Sequence, residues 1–177
     1  FIPFFKNPSI KINGLNCKNY FYKSNTNDLK KLIENLYNID HFNYIHGDPT
    51  FSNIIVENEN RIKFIDPRGY FGHSRIFGDA RYDYSKLYYS LSGKYDNFNN
   101  KKFILKNFGS DIEFYILDNG WGNYLNIFNE IVNKELFDIK IIHGLIWLSL
   151  TSYSLDDYDA MLSAFYNGTF ILNQIEN

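Results

Sequence analysis

The chain has 177 residues, of which 45% are hydrophobic and 21% charged, and its formal net charge is −2. This composition excludes disorder caused by low hydrophobicity and high charge. It also argues against an electrostatic nucleic-acid binder, which would be clearly basic. The single cysteine, Cys17, excludes an intramolecular disulfide and a cysteine-rich zinc site.

Two further features concern the compartment and the extent of the chain. No apolar run reaches the roughly 18 residues that a membrane-spanning helix needs, and the scarcity of cysteine is typical of a reducing compartment. We therefore expect a cytoplasmic protein without a membrane span. Residue 1 is Phe and the only methionine is Met161, which indicates a piece of a longer protein. We expect residues 1–177 to form one domain.

Apolar spacing and turn residues in the first 66 positions predict one helix and a β-hairpin after an irregular start. The predicted elements are extended pieces at 11–12 and 20–22, a turn at Asn13-Gly14, a helix over 29–37 with an N-cap at residue 25, 26 or 27, a short strand at 44–45, and strands at 53–57 and 61–66. The turn at 58–60 is short, so the last two strands pair antiparallel. Residue 66 is therefore expected beside residue 53.

The rest of the chain predicts mainly helices. The predicted elements are a Gly- and Arg-rich loop over 67–78, a helix over 79–91 with Tyr84, Leu87, Tyr88 and Leu91 on one face, and helices over 121–132, 138–153 and 156–174. Residues 102–117 fit either a hairpin turning at Gly109-Ser110 or a helix followed by a strand. We expect an α/β or α+β fold that is mostly helical.

Polar residues converge at the open end of the predicted hairpin. Asp48 and Asn53 flank the loop that leads into the first strand, and Asp66 ends its antiparallel partner. Two carboxylates and an amide oxygen suit a hard cation such as Mg²⁺, which usually takes a few protein oxygens together with phosphate and water. A carboxylate beside such a metal can accept the proton of a hydroxyl nucleophile. The pattern predicts metal-assisted chemistry on a hydroxyl group.

The spacing Asp48-x4-Asn53 matches the catalytic loop of protein kinases. Here the loop begins with His46-Gly47-Asp48, the next strand ends in Ile65-Asp66, and residues 78–84 are Gly-Asp-Ala-Arg-Tyr-Asp-Tyr. In this order, over residues 44–91, these motifs resemble the aminoglycoside phosphotransferase and choline kinase superfamily. The resemblance implies a kinase-like C-terminal lobe in which a small β-hairpin carries the catalytic and metal-binding loops.

The resemblance also implies a role for each matching residue. These roles are Asp48 as the catalytic base, Asn53 and Asp66 as magnesium ligands, His46 as a brace for the loop, Asp79 as a support of the catalytic segment, and Asp83 as a cap of the helix that follows. The implied activity is Mg²⁺-dependent transfer of the γ-phosphoryl group of ATP to a hydroxyl. The implied acceptor is a small molecule such as choline, ethanolamine or a sugar.

The sequence departs from the family pattern in two places. Arg68 follows the predicted metal ligand, where many relatives carry an aromatic or acidic residue, and it is expected to reach a phosphate of the nucleotide. Pairing of Arg68, Arg75 and Arg81 with nearby carboxylates is the alternative. Only 45 residues precede His46, without a Gly-x-Gly pattern. We therefore expect this sequence to lack the nucleotide-binding N-terminal lobe, which would be a partner from the same protein.

Plainer explanations stand beside these predictions. His46 alone is typical of a structural histidine, and Asp48 and Asn53 alone are common turn residues. At the level of function, one alternative is a catalytically silent kinase-like module that binds a ligand or partner. The other is a metal-dependent phosphatase, which would need a second cluster of His and Asp ligands.

Two groups of residues concern the acceptor. Asp156, Asp157 and Asp159 lie at a predicted helix start, where they favour the helix dipole or form an acidic wall for a cationic acceptor. Trp121 and Trp147 are expected in the core, with an aromatic box for a quaternary ammonium as the alternative.

Overall fold

The computed structural model describes residues 6–109 and 111–176, and it is a mixed α and β structure weighted toward helix, as predicted. The strands are β1 (Ser9–Ile12), β2 (Leu15–Lys18), β3 (Phe42–Tyr44), β4 (Ile54–Asn58), β5 (Arg61–Phe64), β6 (Phe77–Asp79), β7 (Phe103–Asn107) and β8 (Asp111–Ile116). The helices are α1 (Thr26–Leu36), α2 (Ala80–Leu91), α3 (Tyr95–Asn99), α4 (Leu125–Val132), α5 (Leu136–Leu150) and α6 (Tyr158–Glu176).

The chain forms two compact units. The first contains the residues up to Tyr37, Phe103–Ile116 and the residues from Gly144 onward, and the second contains Asn38–Lys102 and Leu117–His143. The expectation of a single domain over residues 1–177 stays a prediction. All residues of the predicted active site belong to the second unit.

Within its described residues, the first unit contains a four-stranded sheet in the order β2-β1-β8-β7. β1 and β2 form an antiparallel hairpin whose turn, Asn13-Gly14, has φ of +48° and +83°, as a tight hairpin turn of this kind requires. β1 pairs parallel with β8, and β8 antiparallel with β7. Ile12, Ile112 and Phe114 are buried, so alternate side chains of β1 and β8 form one apolar face.

Glycines allow α5 and α6 to pack closely in the first unit. A Cβ atom on Gly144 would lie 2.7 Å from the side chain of Leu172, and one on Gly168 would lie 2.8 Å from the backbone nitrogen of Leu148. A side chain at either position would therefore separate the two helices. No helix in residues 6–109 and 111–176 has both the length and the apolar character required to cross a membrane.

The described part of the second unit has two small antiparallel sheets, β3–β6 and β4–β5. In the β4–β5 hairpin, Ile54 pairs with Phe64, and the register shifts between Val56 and Asn58. In the other sheet, Phe42 pairs with Asp79, so β6 delivers the chain directly to the start of α2. These two pairings position the loops of the predicted site.

The structure confirms most predicted elements. The hairpin over 53–66 and the helix over 79–91 lie close to their predicted bounds, and residues 102–117 form the hairpin β7–β8. Ser110, half of the predicted turn, lies outside the described residues, as do residues 1–5 of the predicted irregular start. Helices over 138–153 and 156–174 are confirmed as α5 and α6.

Four local predictions are wrong. Residues 20–22 form turns, residues 77 and 78 of the predicted loop belong to β6, and the helix predicted from residue 121 begins with a 3-10 turn before α4. Tyr84 is 43% exposed, whereas Arg81 and Ser85 of the same helix are buried. The buried face of α2 includes Tyr88 and Leu91, as predicted, together with polar side chains that are satisfied internally, so hydropathy misplaces only Tyr84 of the predicted face.

Tyr88, Val132 and Ile139 form a hydrophobic core cluster in the second unit, and the ring of His143 packs against Tyr88. His143 is only 3% exposed, and its ring lies 5.1 Å from that of Tyr88 in an edge-to-face arrangement. Burial lowers the pKa of His143 to about 3, because the imidazolium form loses its hydration there. The folded protein therefore keeps this ring neutral where an exposed histidine would be protonated.

We expect the free energy of unfolding to fall as the pH drops below about 6.5, because the unfolded chain then binds a proton at His143 that the folded chain does not. The loss should continue toward pH 3, where the buried ring itself titrates. At pH 5 it should reach about 2 kcal/mol. Denaturant unfolding of the wild type and His143→Gln at pH 7 and pH 5 checks this. The stability advantage of the wild type should shrink by that amount, and an unchanged advantage would contradict the expectation.

Candidate active site

The loop that begins at His46 is attached to α2 through its backbone. Asp83, in the first turn of α2, accepts the N–H of His46 at 2.7 Å with one carboxylate oxygen and the N–H of Gly47 at 2.9 Å with the other. Hydrogen bonds to a carboxylate are stronger than those between neutral groups. They fix the direction in which the chain enters the loop.

The predicted roles of Asp79 and Asp83 need correction. Asp79 caps α2, since its side chain accepts the N–H of Arg81 at 2.9 Å. Asp83 was expected to be the cap, but α2 already begins at Ala80, so residue 83 lies inside the helix. Its carboxylate reaches the backbone of the loop instead. Asp83 therefore contacts the loop directly, and only its predicted role as the helix cap is wrong.

Asp48 lies at the centre of a small network of polar contacts. Its Oδ1 atom lies 2.8 Å from Nζ of Lys86. The Nδ2 group of Asn53 donates to the backbone carbonyl of Asp48 at 2.8 Å and to Oδ2 at 3.5 Å. The N–H of Asp48 donates to Nδ1 of His46 at 3.3 Å, so His46 braces the loop from inside. The structure thus brings Asp48, Asn53 and His46 together.

The segment after β5 runs alongside this loop. The N–H of Ile65 donates to the carbonyl of Asn53 at 3.0 Å, and the N–H of Arg68 donates to the carbonyl of His46 at 2.9 Å. Asp66 lies between these two attachment points. Its carboxylate is exposed and makes no hydrogen bond or ion pair with any residue in 6–109 or 111–176.

Backbone conformation shows how closely the two segments approach. Gly47 has a φ of +82°, and a Cβ atom there would lie 2.8 Å from Cβ of Arg68, so only glycine fits. Asp66 has a φ of +55°, a left-handed conformation that costs a non-glycine residue on the order of 1 kcal/mol. Such strain persists only where the surroundings hold the chain, and it is concentrated at functional sites.

The arginines of this region differ in their surroundings. Nη1 of Arg68 donates to the hydroxyl of Tyr82 at 3.0 Å, and its guanidinium lies 5.0 Å from the centre of the Tyr70 ring. Arg81 is buried and forms ion pairs with Asp79 and Asp138. The hydrogen bond to Asp79 is the main cause that raises the pKa of Arg81. The pairing alternative therefore holds for Arg81.

The sequence motifs did not identify two residues of the site, and both lie on α2. Lys86 contacts Asp48, and Oγ of Ser90 accepts the N–H of Phe51 at 3.0 Å. They follow Asp83 by three and seven positions, a spacing that places all three on one helix face. That spacing could have predicted that the three residues share a helix face, although it does not predict which loop the face contacts.

An open cleft of about 540 Å³ begins where the loop ends, at Phe51 and Ser52. Its walls include Asp96, Asp118 and Trp121. Trp121 is 46% exposed and packs edge-to-face on Phe51 with ring centres 5.0 Å apart. The expectation of a core position is wrong for Trp121, because the 3-10 turn that carries it lies at the cleft.

The other groups predicted to bear on the acceptor lie in the first unit. Trp147 is fully buried, as expected of a core residue. Asp157 accepts the N–H of Ala160 at 2.9 Å, so it acts at the start of α6 as the helix-start interpretation predicts.

The side-chain oxygen atoms of Asn53 and Asp66, which are predicted to bind metal, accept no hydrogen bond from the described residues. Asn53 points its Nδ2 toward Asp48, and its Oδ1 accepts no hydrogen bond from the described residues. This oxygen and the exposed carboxylate of Asp66 are hard ligands that fit Mg²⁺. Within 6–109 and 111–176, no three His, Cys, Asp or Glu side chains are grouped to hold a metal. The predicted ligand set is not such a group, because one of its three members is the amide of Asn53.

Comparisons of this chain with protein-family models, with curated proteins and with solved structures each find no match. The resemblance to the aminoglycoside phosphotransferase and choline kinase superfamily therefore depends on the motifs in residues 44–91. Membership in that family stays a prediction.

Proposed function

We propose that this chain is the kinase-like C-terminal lobe of a phosphotransferase that moves the γ-phosphoryl group of ATP to a hydroxyl of a small acceptor. One observation carries the proposal. Backbone hydrogen bonds from Ile65 to Asn53 and from Arg68 to His46 lay the segment that contains Asp66 along the loop that contains Asp48. The two carboxylates of Asp48 and Asp66 and the amide of Asn53 thereby share one end of a hairpin.

Asp48 is the proposed base. Its side chain is 38% exposed, and Lys86 engages Oδ1, which leaves Oδ2 for the acceptor. In the transfer, the hydroxyl O–H bond breaks and its proton passes to Oδ2. The hydroxyl oxygen bonds to the γ-phosphorus, and the bond between that phosphorus and the leaving ADP breaks. Asp48 thus orients the nucleophile and removes its proton, as in kinase catalytic loops.

The remaining residues bind the nucleotide side of the reaction. Asn53 and Asp66 would hold Mg²⁺, which when bound offsets the negative charge of the phosphates. Arg68, already oriented by Tyr82 and Tyr70, would pair with a phosphate oxygen. The missing half of the ATP site would come from an N-terminal lobe of the same protein.

The cleft at Phe51 is the proposed binding site for the small acceptor. It adjoins the loop that carries Asp48, and its walls combine an aromatic ring, Trp121, with the carboxylates of Asp96 and Asp118. Lys94 lies 3.3 Å from Asp118 and, mainly through its hydrogen bond, lowers the pKa of that carboxyl group. Acidic and aromatic walls favour a cationic or polyhydroxyl acceptor such as choline, ethanolamine or an amino sugar.

A catalytically silent binding module is the second candidate. The observation that favours it is the ion pair between Lys86 and Asp48, because the cation occupies one of the two carboxylate oxygens that would face a hydroxyl. In that case the module would keep the fold of the loop without the reaction.

We expect the full-length protein to bind ATP in a Mg²⁺-dependent manner, and we expect Asp66→Asn to weaken that binding by about tenfold or more. The substitution replaces a charged metal ligand by a neutral and weaker amide oxygen without removing side-chain volume. Calorimetric titration of ATP with Mg²⁺ and with EDTA measures both effects.

Glu57→Gln is the matched control, since Glu57 is exposed on β4 and pairs only with neighbouring hairpin cations among its described contacts. It should bind Mg²⁺–ATP like the wild type. No ATP binding by the wild type, equal binding in EDTA, or unchanged binding by Asp66→Asn would overturn the proposed function.

A further inference from the structure

Three residues on one face of α2 contact successive parts of the catalytic loop. Asp83 binds the backbone of His46 and Gly47, Lys86 binds the side chain of Asp48, and Ser90 binds the backbone of Phe51. The helix and the loop thus run in the same order, and three consecutive turns of α2 each contribute one contact. Asp83 and Ser90 fix backbone, whereas Lys86 alone of the three contacts the proposed reacting group.

The ammonium group of Lys86 occupies a shielded position. Its side chain is 12% exposed, which is unusual for lysine unless the charge is paired. Nζ lies 2.8 Å from Oδ1 of Asp48, 4.9 Å from the centre of the Tyr89 ring and 5.8 Å from that of Tyr95. The two rings stack with centres 4.3 Å apart, so they form a rigid wall beneath the ammonium group.

The pKa values of Tyr89 and Tyr95 both reflect the nearby negative charge of Asp48. Burial raises the pKa of Tyr95, and the negative charge of Asp48 raises it further. Both phenols therefore stay neutral, and the electron-rich faces of neutral rings attract a cation. The rings and the carboxylate together restrict where the lysine head group can lie.

We propose that Lys86 is a positioning residue for Asp48: its ammonium group, which lies against the Tyr89 and Tyr95 rings, holds one carboxylate oxygen so that the other oxygen faces the acceptor hydroxyl. This inference rests on the proposed phosphotransferase function. It requires that the ion pair aids turnover, whereas in a silent module the same ion pair would suppress it. The two possibilities predict opposite effects when the cation is removed.

The test compares Lys86→Met and Lys86→Arg with the wild type in the full-length protein, using Mg²⁺–ATP with a panel of choline, ethanolamine and amino sugars as hydroxyl acceptors, and release of ADP as the readout. We expect Lys86→Met to lower kcat by roughly 10- to 100-fold, because a small misplacement of a reacting group has effects of this size. The KM for ATP should stay within about twofold, since Lys86 is not expected to contact the nucleotide. Lys86→Arg keeps the charge and should recover part of kcat.

Lys63→Met is the control, because Lys63 forms an exposed ion pair with Glu57 on the hairpin and should have wild-type kinetics. An active wild type with an unchanged or raised kcat in Lys86→Met overturns the inference and leaves the proposed function standing. A wild type that neither binds Mg²⁺–ATP nor releases ADP overturns the proposed function, and the inference with it. If Lys86→Met melts far below the wild type, Lys86→Arg decides. A folded Lys86→Arg with a kcat below that of the wild type and an unchanged KM for ATP supports the inference, whereas a wild-type kcat or a change in KM alone overturns it.

Discussion

Replacing Asp48 with Asn should abolish phosphoryl transfer while Mg²⁺-dependent ATP binding persists. The amide has nearly the shape of the carboxylate, but it cannot take a proton from a hydroxyl at neutral pH. A positioned general base contributes typically 10² to 10⁴ in rate, so we expect kcat to fall about 10³-fold. The magnesium ligands Asn53 and Asp66 are unchanged in this variant. Transfer of label from γ-labelled ATP to a panel of choline, ethanolamine and amino sugars measures the loss.

Asp40→Asn is the control for this substitution, because Asp40 is exposed and lies outside the loop. Its transfer rate should equal that of the wild type. A kcat for Asp48→Asn within a few-fold of the wild type would remove Asp48 from the role of base. Transfer lost together with ATP binding would mean instead that Asp48 takes part in binding the nucleotide.

The site depends on chain segments held by backbone hydrogen bonds. Asp83 and Ser90 fix the loop to α2, and the bonds at Ile65 and Arg68 fix the second segment to the loop. The bonds at Ile65 and Arg68 join backbone to backbone, so the pairing of the second segment with the loop does not require particular side chains, whereas the attachment to α2 depends on the side chains of Asp83 and Ser90. The strain at Asp66 and the close approach at Gly47 are consistent with a geometry fixed by its surroundings.

The hairpin end of the site was predictable from the sequence because its information is local. Apolar residues on both sides of a short turn favour two strands that pair antiparallel, and pairing alone returns residue 66 to residue 53. The loop motif adds Asp48, which is five residues from Asn53. Each of these relations spans fewer than twenty positions, within which spacing determines geometry.

The contacts with α2 were not predictable in the same way. Lys86 is 38 positions from Asp48, and nothing in the helical spacing of Asp83, Lys86 and Ser90 reveals what that face contacts. Hydropathy does not predict that Arg81 lies on the buried face of α2. Its burial is possible because Asp79 and Asp138 satisfy its charge. Likewise, the parallel pairing of β1 with β8 joins residues about a hundred positions apart, which no local pattern encodes.

Asp83→Ala should both destabilise the protein and abolish transfer, because it removes the acceptor of two backbone N–H groups at once. The N–H groups of His46 and Gly47 lie in a partly buried position, and an unsatisfied buried donor costs about 1–3 kcal/mol. We expect a loss of about 3 kcal/mol in the free energy of unfolding, equivalent to a fall of roughly 10 °C in Tm for a chain of this size. Calorimetric melting measures this directly.

The control Asp28→Ala removes an acid whose ion pair with Lys18 is exposed, and it should lower stability by less than about 1 kcal/mol. Asp83→Asn separates the two roles of Asp83, because its single carbonyl oxygen can accept one of the two N–H groups while its amide nitrogen opposes the other. Its stability should lie between those of the wild type and Asp83→Ala, with the loop loosened and transfer lost. A Tm of Asp83→Ala within about 2 °C of the wild type would show that α2 does not hold the loop, and Asp48 would then need another support.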